Sequence, residues 1–215
     1  MSELLTRTIA GVAMVALALS AALLGGTVFA LLCAAAATAI YFEWTRMTRG
    51  WGLGWRLGGF AYALLPALAL LWVRERAGEP IADLGFAVLI WAFIVTWSAD
   101  IGAYFTGRAF GGPKLAPAIS PNKTISGLVG GVIAASLCAG IWARANGLSD
   151  VWLLLAPLFA LASAAGDLFE SWMKRKAGVK DSGTLIPGHG GVLDRLDGLI
   201  PVAVLTGVAV LAGLA

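Results

Sequence analysis

Thr8 to Phe42 reads TIAGVAMVALALSAALLGGTVFALLCAAAATAIYF, 35 consecutive residues without a charge between Arg7 and Glu43. A helix needs about 20 predominantly apolar residues to cross the hydrocarbon core of a bilayer, so this run holds two spans. Adjacent glycines favour a turn over a helix interior, which places the predicted break at Gly25-Gly26. Further charge-free runs occupy Leu57–Val73, Leu84–Ala99, Thr124–Ala143, Val151–Gly166 and Gly198–Ala215. Together they predict an all-α, polytopic integral membrane bundle of about seven transmembrane helices, forming one domain over 1–215. Pro66 and Pro157 fall inside two of the runs, which packed membrane helices tolerate.

Composition agrees. The chain is 60% hydrophobic and 13% charged, against about 25% charged in an ordinary soluble domain. A mean hydropathy of +0.87 excludes disorder. The net charge is only +3, and a basic surplus in a membrane protein gathers in the loops on one side, so no nucleic-acid partner is expected. Cys33 and Cys138 lie in apolar runs and form neither a metal spacing nor a disulfide framework. Arg7 before an apolar stretch has the form of a signal peptide, but no soluble domain follows, so cleavage is not expected.

Seven spans put the N-terminus and the second, fourth and sixth connections on one side. That side carries twelve of the fifteen basic residues, and the other has only Arg74, Arg76 and Arg144. The positive-inside rule makes the basic side, and the N-terminus with it, cytoplasmic.

Two connections on that side carry more chemistry than a linker needs. The fourth, Trp97 to Thr124, and the sixth, Gly166 to Asp197, hold Asp100, Asp167, Asp181, Asp194, Asp197 and the only histidine, His189. Asp194 and Asp197 are three apart and share a face on a helix. Asp167 ends the sixth span and Asp197 opens the seventh, so antiparallel pairing is expected to bring the three carboxylates together. Clustered carboxylates repel unless a cation neutralises them, and oxygen ligands select a hard ion, Mg²⁺ above all. The competing reading is a set of interfacial ion pairs, but carboxylates at this depth are functional by default.

Gly188, Gly190 and Gly191 around His189 allow backbone N–H groups to approach an anion. Lys123, Lys174, Arg175 and Lys180 add positive charge on the same side. A hard metal, a glycine-rich turn and several cations describe phosphoryl or nucleotidyl transfer. Soluble nucleotide signatures are missing. Gly102-x-x-x-x-Gly107-Arg108-Ala109 lacks the Lys-Ser/Thr of a P-loop, and there is no G-x-G-x-x-G. The Asp-Gly-x-x-Ala-Arg core of the CDP-alcohol phosphatidyltransferases is absent too.

The segment Ser171-x-x-Lys174-Arg175-x-x-x-x-Lys180-Asp181-Ser182-Gly183-x-x-Ile186-Pro187-Gly188-His189-Gly190-Gly191-x-x-Asp194-Arg195-x-Asp197 closely resembles the signature of the phosphatidate cytidylyltransferases, or CDP-diacylglycerol synthases. Asp100-Ile-Gly-Ala-Tyr-Phe-x-Gly-Arg and Ser120-Pro-Asn-Lys-Thr resemble that family's second region. The resemblance is close over about 97–200, a catalytic region, and follows only hydropathy over the N-terminal helices at about 8–90. The chain is short for a bacterial member, which leaves room for one or two fewer helices in the N-terminal half.

The resemblance implies transfer of CMP from CTP to phosphatidate, giving CDP-diacylglycerol and pyrophosphate, with Mg²⁺ on Asp167, Asp194 and Asp197 and room for a second cation. It gives Lys174, Arg175 and Lys180 the task of screening and aligning phosphates, with His189 as a donor or a brace. Ser120, Asn122, Lys123, Thr124 and Asp100 upstream, and Asp181, Ser182, Gly190, Gly191 and Arg195 downstream, become candidates for holding the nucleotide and its cation. It also implies an inner-membrane enzyme and allows a homodimer, although the small-residue ladder Gly127, Gly131, Ala135 and Ala139 is expected to serve packing within the chain. Rival readings are a CTP-dependent enzyme acting on another lipid, an archaeal-lipid cytidylyltransferase or a polyprenol kinase, and a cation-coupled transporter. A transporter requires acids at mid-membrane depth and access from both faces, whereas these acids gather at one face.

Overall fold

Gly25 and Gly26 adopt φ of 61° and 49°, and the long apolar run breaks there into two helices. The computed structural model describes residues 3–75, 84–186, 188 and 190–214, without the side chains at 3, 4, 6 and 7. His189 and Arg76 therefore lie outside the described residues, as does the side chain of Arg7. In chain order the elements are α1 (Glu3–Leu24), α2 (Gly26–Met47), α3 (Leu53–Glu75), α4 (Leu84–Phe110), β1 (Lys114–Ala116), β2 (Ser120–Thr124), α5 (Ile125–Ala145), α6 (Val151–Ala177), α7 (Leu193–Leu196) and α8 (Leu199–Leu211).

The chain is a multi-pass, all-α membrane protein. Helices α2 to α6 are long and apolar enough to cross a bilayer. The outer two of the seven expected spans correspond to shorter apolar helices, Thr8–Leu24 and Leu199–Leu211. At 1.5 Å per residue a 13-residue helix rises about 20 Å, less than the roughly 30 Å hydrocarbon core. Pro66 and Pro157 sit inside α3 and α6 as expected.

Helix α4 is apolar on all sides and forms the centre of the bundle, as such a helix must. Trp91 is wholly buried on it, edge-on to Trp152 at 4.8 Å and Phe159 at 5.2 Å, both from α6. The small-residue face of α5 lies on α4 so closely that a Cβ on Gly131 would stand 2.6 Å from the Ala99 carbonyl oxygen. The ladder is thus used inside the chain. Large apolar side chains such as Leu137, Ile141 and Leu154 point outward, as lipid-facing residues do.

Two expected connections are partly helical. Helix α4 runs eleven residues past Ala99, and α6 eleven past Gly166, so Asp100 and Asp167 stand on rigid helix rather than in loops. A charge ends a stretch of hydrophobicity, but it does not end the i to i−4 hydrogen bonding of a helix. Between α4 and α5 the chain forms an antiparallel β1–β2 hairpin that pairs Lys114 with Thr124 and Ala116 with Ser120.

Candidate active site

The last three turns of α6 carry Asp167, Glu170, Ser171 and Lys174 at helical spacing, so they share one face. Asp167 forms an ion pair with Lys123 of β2. Lys174 Nζ lies 2.5 Å from Glu170 Oε2 and 2.7 Å from Asp194 Oδ1, with all three side chains largely buried. Lys174 is therefore held between two acids. Arg175 is exposed and its Nε donates to the Ile119 carbonyl oxygen at 3.3 Å, tying the hairpin turn to α6. Lys176 is packed on tryptophan faces, with its ammonium 4.4 Å from the Trp51 ring, 4.9 Å from Trp55 and 5.1 Å from Trp172.

Gly178, at φ 69°, caps α6 and releases the chain into the glycine-rich loop. Ile186 and Gly190 bridge there, with the Ile186 N–H donating to the Gly190 carbonyl at 2.9 Å. The polar hydrogens of this loop point inward. Asp194 Oδ2 accepts from the Ser182 N–H at 2.9 Å, the Ser182 hydroxyl at 2.9 Å and the Gly191 N–H at 2.8 Å. The expected phosphate cradle at Gly191 is thus occupied by the chain's own carboxylate. Burial alone would raise Asp194, but hydrogen bonding to Glu170, Lys174 and the Gly191 N–H outweighs it and holds the carboxyl at about 2.

Asp197 looks the other way. Its Oδ1 accepts from the Gly198 N–H at 2.8 Å, and its carbonyl would stand 2.4 Å from a Cβ on Gly166, the residue before Asp167. Burial pushes its carboxyl up, and the negative charges of Asp167 and Asp100 push it further, to about 8. The carboxylates that feel one another are therefore Asp100, Asp167 and Asp197. The expected grouping of Asp167 and Asp197 with Asp194 is not seen, because Asp194 is committed to Lys174 and the loop. Among the described residues no three acidic, histidine or cysteine side chains converge on one point as a ready-made ion cage.

Asp100, Asn122, Lys123, Thr124 and Asp167 line a cavity of about 730 Å³ beside the closely packed α4 and α5. Thr124 also caps α5, its hydroxyl accepting from the Gly127 N–H at 3.0 Å. Ser120 pairs with Ala116 at the start of β2. Lys180 and Asp181 are exposed on the loop, and Ser182 is buried beneath it. Arg195 lines a second cavity of about 440 Å³, otherwise apolar, whose walls include Phe29, Cys33, Ile40, Pro66 and Leu196. The positive charge of Arg195 also acts on the Asp100 carboxyl of the first cavity.

Two participants were missed by sequence reasoning, Glu43 and Glu170, both 1% exposed. Glu43 ends the first apolar run and reads there as a topological marker, and Glu170 lies three residues past Asp167, which ends the sixth span. Glu170 carried a usable signal in its i, i+4 relation to Lys174. Glu43 carried none, since its partners lie 139 to 150 residues away.

The sequence profile of the cytidylyltransferase family matches residues 55–212, which include α4 to α8 and the hairpin but not α2. The chain belongs to the cytidylyltransferase family. Curated members similar to it bear the name phosphatidate cytidylyltransferase. The Brucella suis protein is 38% identical over 256 aligned positions, covering 95% of this chain and 92% of that one. The Pseudomonas aeruginosa protein is 43% identical over 174 positions, 77% of this chain and 62% of its own. The Bacillus subtilis protein is 45% identical over 119 positions, 54% of this chain and 44% of its own. The first alignment is longer than the 215 residues of this chain, so the Brucella relative carries additional residues within the matched region. The family's members are nucleotidyltransferases.

Proposed function

We propose that this chain transfers CMP from CTP to phosphatidate, giving CDP-diacylglycerol and pyrophosphate. The observation that carries the reading is the make-up of the two cavities, an apolar one with Arg195 as the lone charged residue of its lining and a polar one lined by Asp100, Asn122, Lys123 and Asp167. A lipid whose acyl chain enters the first cavity brings its phosphate to Arg195. A nucleotide in the second meets Lys123, Asn122 and the acid cluster.

The chemistry asks little proton transfer of the protein. A phosphomonoester with a second pKa near 6 is largely ionised at pH 7, so its oxygen is already a nucleophile. It attacks the α-phosphorus, the new P–O bond forms, the bond from the α-phosphorus to the α–β bridging oxygen breaks, and pyrophosphate leaves with that electron pair. The barrier lies in bringing two polyanions together in line. Lys123 exchanges its bond to Asp167 for the triphosphate, and Arg195 orients the lipid phosphate. Lys174 keeps Asp194 and the loop in place.

Mg²⁺ is bound in such sites by one or two carboxylates together with substrate phosphates, and Asp167 and Asp197, with Asp100 nearby, meet that requirement. When bound, the ion supplies charge neutralisation for the triphosphate and polarises the α-phosphate. The twelve basic residues on one side of the predicted topology support a cytoplasmic site in an inner-membrane protein, with the N-terminus on that same face.

The test uses purified protein, CTP labelled in the cytidine and α-phosphate, phosphatidate in mixed micelles, and Mg²⁺. Labelled lipid and stoichiometric pyrophosphate are expected. A CTP-dependent lipid kinase would release CDP and leave the lipid without cytidine. Absence of any labelled lipid with phosphatidate would overturn the proposal.

A further inference from the structure

Glu43 is the one acidic residue of α2, and its carboxylate is fully enclosed. Its Oε1 accepts from the Val192 N–H at 2.9 Å, and its Oε2 accepts from the Leu193 N–H at 2.8 Å and the Ser182 hydroxyl at 3.0 Å. The loop closes over the carboxylate at two glycines. A Cβ on Gly183 would fall 2.5 Å from Oε1, and one on Gly191 2.4 Å from Oε2. Ser182 stands between Glu43 of α2 and Asp194 of α7, its hydroxyl oxygen also 2.9 Å from Asp194 Oδ2, so that one proton is shared between two carboxylates.

We infer that Glu43 is a positioning residue for the transfer reaction, fastening the loop from Ser182 to Leu193 onto a membrane helix and so fixing where Asp194, Lys174 and Asp197 stand. It lies outside the family-matched residues 55–212. The Val192 and Leu193 N–H groups are donors, one to each oxygen, so both oxygens of Glu43 must accept. A Gln at this position places an NH₂ group against a backbone N–H in either flip and leaves a buried donor without a partner, which is costly. An Asp keeps the acceptor chemistry one methylene shorter. The activity readout rests on the transferase reading above; the loop readout does not.

The experiment compares the full-length wild type, E43Q, E43D, S182A and the E43Q/S182A pair in detergent micelles. It measures kcat, the KM for CTP, and the rate of tryptic cleavage after Lys180 relative to cleavage elsewhere. In E43Q, kcat is expected to fall at least about tenfold with KM changing far less, the pattern of a lost orientation rather than lost binding. Cleavage after Lys180 accelerates selectively, E43D recovers part of kcat, and the double variant loses less than the product of the singles because the two residues share one contact. Wild-type kcat and wild-type cleavage in E43Q would overturn the inference. So would equal acceleration of cleavage at every site, which marks a residue of global stability only. If E43Q does not fold, E43D and S182A are read in the same two assays, and unchanged values in both would also overturn it. If the wild type makes no lipid product the transferase reading fails, while cleavage after Lys180 still decides whether Glu43 holds the loop.

Discussion

Lys174 Nζ stands 2.7 Å from Asp194 Oδ1, across 20 residues of chain, and pins the end of α6 to the short helix α7. The same ammonium lies 2.5 Å from Glu170. One cation thus serves two buried acids, and its loss leaves both without the ion pair it makes with each.

Removing one partner of a buried pair costs about 3–5 kcal/mol, much of it from the uncompensated charge left behind. Lys174→Met is therefore expected to lower the thermal unfolding midpoint sharply, and the triple change K174M/E170Q/D194N to recover part of the loss. Thermal unfolding in a fixed detergent measures both. A triple variant less stable than K174M would refute the account.

Asp194 gives a pH dependence of defined sign. Its folded pKa of about 2 lies below the unfolded value near 3.9. The stabilisation is therefore complete above the unfolded value and is lost as pH falls through about 4 toward 2. The amount is about 2 kcal/mol. Wild type should lose most of this increment relative to Asp194→Asn between pH 5 and pH 2.5, measured as the difference in unfolding midpoints.

Asp197 bears on metal binding. A carboxyl held up at about 8 by burial, Asp167 and Asp100 binds a proton in competition with a cation. The Mg²⁺ concentration for half-maximal activity should rise as pH falls from 8.5 to 6.5. Asp167→Asn removes the largest charge contribution to that elevation, so Asp197 should titrate at lower pH in the variant. Magnesium titrations at several pH values for the wild type, and proton uptake by Asp197 followed by infrared difference spectroscopy in D167N, check the two halves.

Helix α5 supplies an internal control for the packing argument. Gly131→Ala would put a methyl 2.6 Å from the Ala99 carbonyl oxygen, whereas at Gly140 the nearest atom is 4.0 Å away. Overpacking costs about 1–3 kcal/mol, while Gly→Ala in an open helix interior gains roughly 0.5–1 kcal/mol. G131A should melt earlier than wild type and G140A slightly later.

What could be read from sequence follows from what the bilayer demands. Hydrocarbon excludes charge, so spans, the Gly25-Gly26 break and the inward small-residue ladder were legible. The helix ends were not, because Asp100 and Asp167 end apolarity without ending hydrogen bonding. The acids of the site were legible as a set, but their grouping was not. Asp194 and Asp197 share a helical repeat in sequence, yet Lys174 claims one and Gly166 approaches the other. Glu43 was hidden altogether, because a contact across 139 to 150 residues leaves no local pattern.

Asp100 and Asp167 sit on helices that continue unbroken from the bilayer, so their spacing is not set by a loop that can relax independently. On the proposed reading, a group mounted on a rod answers to whatever moves the rod. A change in the tilt of α4 against α6 would change the gap between these two carboxylates, with no loop at either one to absorb it.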